Sequence, residues 1–225
     1  VSSIHELRSV DMVDFWKRYR RNRAAVFGLV VIILIIIMAL TASLFYPNDP
    51  FRLMGKPLSG PLTNGFLLGS DSLGRDVASG IVHGAKTSLL IGFVATIVSV
   101  FIGIFFGAFA GYFGGRIDDI LMRVTEIFQT IPSFIFAILL VAIMKPSIVS
   151  IVIAIAVVSW PGVARLVRGE FLALKNREFV QACHTLGMSD FRIMLREILP
   201  NCLSPIIVVG SLMVATAILI ESGLA

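Results

Sequence analysis

Long stretches without a charged side chain constrain this chain more than any other feature. From Ala25 to Phe45 there is no Asp, Glu, Lys or Arg, and the centre reads VVIILIIIMAL without interruption. A bilayer core about 30 Å thick is crossed by roughly 20 residues of helix rising 1.5 Å each. Lipid offers no partner to a bare peptide group, so such runs must satisfy their backbone internally, as helices. The first run is too long for a signal-peptide core. TASLFYPNDP is also a poor cleavage sequence, so the run is expected to persist as an anchor that Asn48, Asp49 and Pro50 terminate.

Four further spans are expected: about Ser88 to Gly111, Ile117 to Met144, Ser147 to Val167 and Cys202 to Ile220. The third is interrupted in its first half by Arg123, Glu126 and Gln129, and the fourth contains Trp160-Pro161-Gly162. Composition agrees, with 57% of residues hydrophobic and 15% charged. Soluble domains run near 45–50% and about 25%. The expected fold is an all-α polytopic membrane protein. It is divided into an N-terminal segment 1–24, a first transmembrane helix 25–45, an external segment 46–87 and a transmembrane core 88–225 with a polar loop 169–200.

Lysine and arginine placement sets the expected orientation. With the N-terminus in the cytoplasm, Arg8, Lys17, Arg18, Arg20, Arg21 and Arg23 fall inside. So do Arg116, Arg123, Arg165, Arg168, Lys175, Arg177, Arg192 and Arg196. Arg52, Lys56, Arg75, Lys86 and Lys145 fall outside, which divides the 19 basic residues 14 to 5. The net charge of +5 is thereby accounted for by orientation, without nucleic acid.

The loop GEFLALKNREFVQACHTLGMSDFRIMLREILP, from Gly169 to Pro200, carries the most information. Phe171, Leu172, Leu174, Phe179, Ala182 and Cys183 recur at helical spacing and predict an amphipathic helix. Gly187 is expected to close it, because glycine accepts the left-handed conformation of a helix end. Ser189 as N-cap, with Asp190 in the first turn, starts a second short helix that runs to Pro200. Two short helices at a sharp turn suit a docking knob. Spacing alone leaves open an ordinary loop lying on the headgroups.

The segment FVQACHTLGMSDFRIMLREILPN resembles the EAA loop of ABC importer permeases, with Gln181, Ala182, Cys183, Gly187, Ile198 and Pro200 at the pattern positions. It departs from the pattern at Gln181, where the family has Glu, and at Cys183, where it has Ala. The lead-in FWKRYRRNRAAVFGLVV, YPNDP, LLGSDSLGRDVASGIVHGAKTSLLIG, GYFGGRIDDILMRVTEIFQTIPSFIFAILLV and ILIESGLA extend the likeness. They resemble the dipeptide, oligopeptide and nickel permeases of the C type, from about Asp14 to the end. The resemblance implies a type I ABC importer transmembrane fold, with a sixth helix expected beyond the five spans visible here. It also implies a coupling role for Phe179, Gln181, Ala182, Cys183, Gly187, Met188, Ser189 and Asp190. The implied partners are a homologous second permease, two ABC ATPase subunits and an extracytoplasmic substrate-binding protein. The chain itself binds no cofactor in this reading; ATP and Mg belong to the ATPases. The implied location is the bacterial inner membrane.

Gly103, Gly107, Gly111 and Gly115 recur every four residues and predict a helix-packing seam, with its partner unspecified. Arg123 and Glu126, three apart, suit either a pair on one helix face or, with Gln129, the lining of a pathway. Pro132 and Pro161 are expected to bend their spans.

No nucleophile–base pair or carboxylate pair falls on one membrane level. Cys183 and His184 are adjacent and therefore point about 100° apart on a helix. Cys183 and Cys202 lack metal or disulfide spacing and are expected to be free thiols. GIVHGAKT, from Gly80 to Thr87, imitates a phosphate-binding loop, but Ala85 replaces the glycine before Lys86 and no strand precedes it. A non-catalytic transport subunit is therefore the expected function. The rival readings are a self-contained channel or secondary transporter, and an intramembrane enzyme or scaffold.

Overall fold

The computed structural model describes residues 16–17, 19–63 and 65–224. Most of the expected N-terminal segment, including Arg8, Arg18 and the start of the family likeness at Asp14, lies outside the described residues. The chain divides into two compact units, Val1–Thr87 and Ser88–Ala225. Among the described residues every regular element is helical, apart from one isolated bridge between Ser70 and Asp76.

In the first unit, the Asn22 side chain accepts a hydrogen bond from the Ala25 amide and opens α1, Arg23–Leu40. The helix is apolar all round and exposed nearly all round, as a lipid-facing span requires. The Thr41 hydroxyl donates back to the Ile37 carbonyl at 2.8 Å where α1 ends, and the short α2, Ala42–Phe45, follows. The segment after it is folded, though without regular structure. Asp71 Oδ1 accepts the amides of Leu73 and Arg75, both at 2.8 Å. The Ser70 hydroxyl accepts from the Ser59 amide and donates to the Lys56 carbonyl.

Asp76 Oδ1 accepts from the Ala78 amide at 2.9 Å and opens α3, Val77–Phe113. This helix begins well before the expected Ser88, so the end of the supposed external segment is helical. Asp76 supplies the start signal and nothing in ASGIVHGAKT stops propagation. The imitation phosphate loop, Gly80 to Thr87, is therefore a stretch of helix. Its 37 residues span about 55 Å, far beyond a bilayer core.

The second unit contains the remainder of α3, then α4, Gly115–Thr130, α5, Ser133–Met144, α6, Ile148–Leu174, α7, Glu178–Thr185, and α8, Asp190–Leu224. The expected single span Ile117–Met144 is broken: α4 and α5 meet at 84°. Ile131 sits extended at φ −94° and ψ 131°, the conformation forced on a residue that precedes proline. α4 is strongly amphipathic, and the apolar α5 has only 12 residues, about 18 Å of helix. Four helices are long and apolar enough to cross a membrane, or five if α4 and α5 count as one broken span.

Pro161, expected to bend the fourth span, leaves α6 unbroken. Before Pro200 the chain instead widens into a π turn, Ile193–Ile198, and then continues as helix. A proline lacks the N–H for the regular bond to Arg196, and its ring would collide with that carbonyl. The second short helix of the loop is thus not separate from the last span; it is the start of the 35-residue α8.

α3 and α6 pack through small residues. A Cβ at Gly103 would stand 2.6 Å from Val163 Cγ1, at Gly107 2.7 Å from Val167 Cβ, and at Gly111 2.6 Å from Phe171 Cβ. Backbones this close leave room for nothing but hydrogen. Gly115 is not in this contact. It meets nothing within 4 Å, has φ +52° and is the first residue of α4, beside the break at Gly114. Val163, Val167 and Phe171 continue into a core with Val180, Ile193, Met194, Ile198 and Cys202.

Candidate functional site

The polar loop is built on that core. Phe171, Leu172 and Leu174 belong to α6, while Phe179, Ala182 and Cys183 belong to α7. One continuous amphipathic helix was expected, but Lys175–Asn176–Arg177 divides it. Arg177 is extended, and the Gln181 side chain donates to the Asn176 carbonyl exposed at the break. Val180, absent from the expected site, is completely buried and anchors α7. Cys183 and Met188 pack against the same core. Phe179, Gln181, Ala182, Leu186, Gly187, Ser189 and Asp190 face outward.

Gly187 has φ +73°. Its amide donates to the His184 carbonyl at 3.0 Å, and the Met188 amide reaches back to the Cys183 carbonyl at 3.1 Å. These two bonds form the six-to-one and five-to-two pair of a Schellman closure, with Met188 and Cys183 supplying its apolar contact. Ser189 then stands extended at the start of α8, where its backbone carbonyl accepts from the Arg192 amide but its side chain makes no capping bond. The result is a rigid elbow that presents Leu186 to the outside.

A polar clasp holds the elbow to the end of α3. Tyr112 donates to Asp190 Oδ1 at 2.7 Å, and its ring lies over His184 with centroids 6.5 Å apart. His184 Nδ1 stands 4.0 Å from the same Asp190 oxygen, and Lys175 Nζ donates to the Tyr112 carbonyl at 3.5 Å. Three helices therefore converge on one tyrosine. Sequence reasoning missed Tyr112, because its partners lie more than sixty positions away.

Between α4 and α6 lies a charged cleft of about 700 Å³ lined by Asp118, Asp119, Arg123, Glu126, Arg165 and Arg168, among others. Arg168 grips both carboxylate oxygens of Asp118, at 2.5 and 2.6 Å. Such a two-pronged bond is the strongest arrangement open to these groups. Among the described residues, Arg123 and Glu126 form no ion pair with each other. Of the two arrangements open to Arg123 and Glu126, the pair is not formed: Asp118 of α4 pairs with Arg168 of α6, while Arg123 and Glu126 both line the cleft. Gln129 is exposed and does not line it. Both cysteines are free. Near the other end of α8, buried Glu221 accepts from the Ser88 hydroxyl of α3 at 2.8 Å.

The class defined by these long apolar helices is a multi-pass membrane protein. Residues 103–224 match the family model described as binding-protein-dependent transport system inner membrane component. Residues 12–61 match the N-terminal TM domain of oligopeptide transport permease C. The chain belongs to this family of ABC transporter permeases.

Among its relatives, the dipeptide transport system permease protein DppC of Bacillus subtilis is 38% identical, over 93% of this chain and 65% of its own length. The oligopeptide transport system permease protein OppC of Escherichia coli is 41% identical, over 93% and 70%. The glutathione transport system permease protein GsiD of Shigella flexneri is 40% identical, over 94% and 70%. The chain spans about two thirds of the length of these relatives. In the solved structures of inward-facing conformations of the MetNI methionine ABC transporter, one chain has the same fold. Its TM-score is 0.55 at 19% identity, covering 63% of this chain and 71% of that one.

Proposed function

We propose that this chain is a permease subunit of an ATP-driven importer, forming half of a translocation pathway for peptides or related small solutes. Nickel complexes fall within the substrates to be tried. The relatives named for dipeptide, oligopeptide and glutathione transport support the peptide reading. A homologous second permease would complete the pathway, and an extracytoplasmic binding protein would deliver the solute. ATP and Mg would act on two partner ATPases.

The elbow centred on Gly187 carries the proposal. A closed Schellman turn, clasped to α3 through Tyr112 and rooted in the core through Val180, transmits a push to three helices together. Its exposed face, with Phe179, Gln181, Ala182 and Leu186, is where an ATPase would press. In this reading the elbow and the N-terminus are cytoplasmic, which the 14-to-5 division of basic residues supports. To move a two-state equilibrium from 1:99 to 99:1, the motor must favour one helix arrangement by about 5.5 kcal/mol.

The test is Gly187→Leu in the assembled transporter in proteoliposomes. A bulky side chain at positive φ reopens the turn, so ATP hydrolysis should persist while solute uptake per ATP falls at least several-fold. Uptake at the original ratio would remove the coupling role. Uptake by the purified chain alone, without ATP, would overturn the importer reading.

A further inference from the structure

After Asp118 and Arg168 have met, the cleft between α4 and α6 keeps four charges of both signs without a partner. Asp119, Arg123 and Glu126 stand at i, i+4 and i+7 on α4, and Arg165 lines the same cleft from α6. Side chains three or four apart on a helix are close enough to pair. Yet among the described residues none of these four forms an ion pair or a side-chain hydrogen bond.

The walls are fixed. The two-pronged Asp118–Arg168 bond ties the helices at one end of the cleft. Toward the other, Phe128 of α4 meets Trp160 of α6 edge to face, with centroids 5.3 Å apart. Thr125 between them is completely buried, and its hydroxyl is satisfied by the Leu121 carbonyl. About 700 Å³ lies within the range of small-ligand pockets. The charges decide the occupant. Two free carboxylates balance two free guanidinia, so a simple anion or cation would meet as much repulsion as attraction. A neutral solute would leave all four groups desolvated and unmatched. No group of side chains suited to hold a metal ion occurs among the described residues. A zwitterion offers an ammonium to the acids and a carboxylate to the arginines, whose guanidinium forks match it.

We propose that this cleft is a resting site for a short peptide with free ends: Asp119 and Glu126 take its ammonium group, and Arg123 and Arg165 its carboxylate. The proposal rests on the peptide-importer reading and names what that reading leaves open, the form of solute that the permease itself recognises. Under the 14-to-5 orientation Arg123 and Arg165 lie on the cytoplasmic side, so the cleft holds a peptide that is leaving the pathway.

The experiment irradiates the assembled transporter in nanodiscs, without binding protein or nucleotide, in the presence of a tripeptide of alanine, p-benzoylphenylalanine and alanine with free ends. Adducts should map by mass spectrometry to the cleft walls on α4 and α6. Tri-alanine should displace the probe at a concentration about tenfold or more below that of N-acetyl-tri-alanine amide, as expected when charge-assisted bonds are lost. Glu126→Gln should reduce the preference for a free amino end and spare that for a free carboxyl end; Arg123→Gln should do the reverse. A merely structural role would not split in this way. Adducts confined elsewhere, or equal displacement by the blocked peptide, would overturn the site. So would adducts that vanish when phosphatidylethanolamine replaces phosphatidylcholine in the disc, because a lipid headgroup would then hold the cleft. ATP-driven uptake of tri-alanine in proteoliposomes with the binding protein separates the two readings. Uptake without cleft adducts removes the site alone; adducts without uptake remove the importer reading and leave the site.

Discussion

Gly107 and Gly115 stand two helical repeats apart and do different work. At Gly107 the neighbouring backbone of α6 leaves no space for a Cβ, whereas at Gly115 the space is open and positive φ alone requires glycine. Gly107→Leu should therefore separate α3 from α6 and cost about 1–3 kcal/mol or more by overpacking. The readouts are a lower detergent melting temperature and a lower yield of assembled complex. Gly115→Ala should cost only about 1–2 kcal/mol of backbone strain and leave the α3–α6 contact intact. Asp71 makes a different kind of prediction. The Arg75 amide, with those of Leu73 and Gly74 and the Arg75 charge, holds its carboxyl below the usual aspartate range despite the opposing effect of burial. Its stabilisation of the loop is therefore complete above the unfolded value near 4 and is lost as pH falls through the lower folded value. The protection of the Leu73 and Arg75 amides against hydrogen exchange, taken relative to the intrinsic rate at each pH, should fall on acidification in the native chain. In Asp71→Asn that step should flatten.

At the scale of elements, the polar loop is a joint and not a pair of free helices. α6, α7 and α8 share one core with Ala108 of α3, and Tyr112 adds a hydrogen bond from the end of α3 to Asp190. Tyr112→Phe removes the bond to Asp190 and should loosen the elbow by about 1 kcal/mol, in line with one hydrogen bond. Exchange at the Met188 amide would report it, with the α6 amides near Val163 as an unaffected internal standard. Glycine announced the Gly187 turn and Ser189–Asp190 the start that follows, while hydrophobic spacing announced the helix before them. It did not announce the break at Lys175–Arg177, because apolar residues keep helical spacing across it. Nor did it announce that α8 runs on through Pro200, since a π turn absorbs the proline without ending the helix.

For the whole molecule, orientation is the property most open to direct measurement. Single cysteines placed at Lys56 and at Arg192, in a background without reactive thiols, should label from opposite sides of intact cells with a membrane-impermeant reagent. Lys56 is expected outside and Arg192 inside. Labelling of both from one side would reverse or abolish the topology on which the coupling argument rests. The charged cleft between α4 and α6 belongs to the same scale. Six charged groups cannot face acyl chains cheaply, so water or another subunit must meet them in the assembly.

Membrane class, helical fold, the first span and the turn at Gly187 are legible in the residues alone. Each is written in local terms: charge-free length, periodicity and a glycine where φ must be positive. Helix packing was needed to set Gly103, Gly107 and Gly111 against α6 and leave Gly115 out. It alone paired Asp118 with Arg168 instead of Arg123 with Glu126, and it alone brought Tyr112 to Asp190. Local pattern states which face a residue occupies, but a partner fifty or eighty positions away is chosen by how whole helices meet.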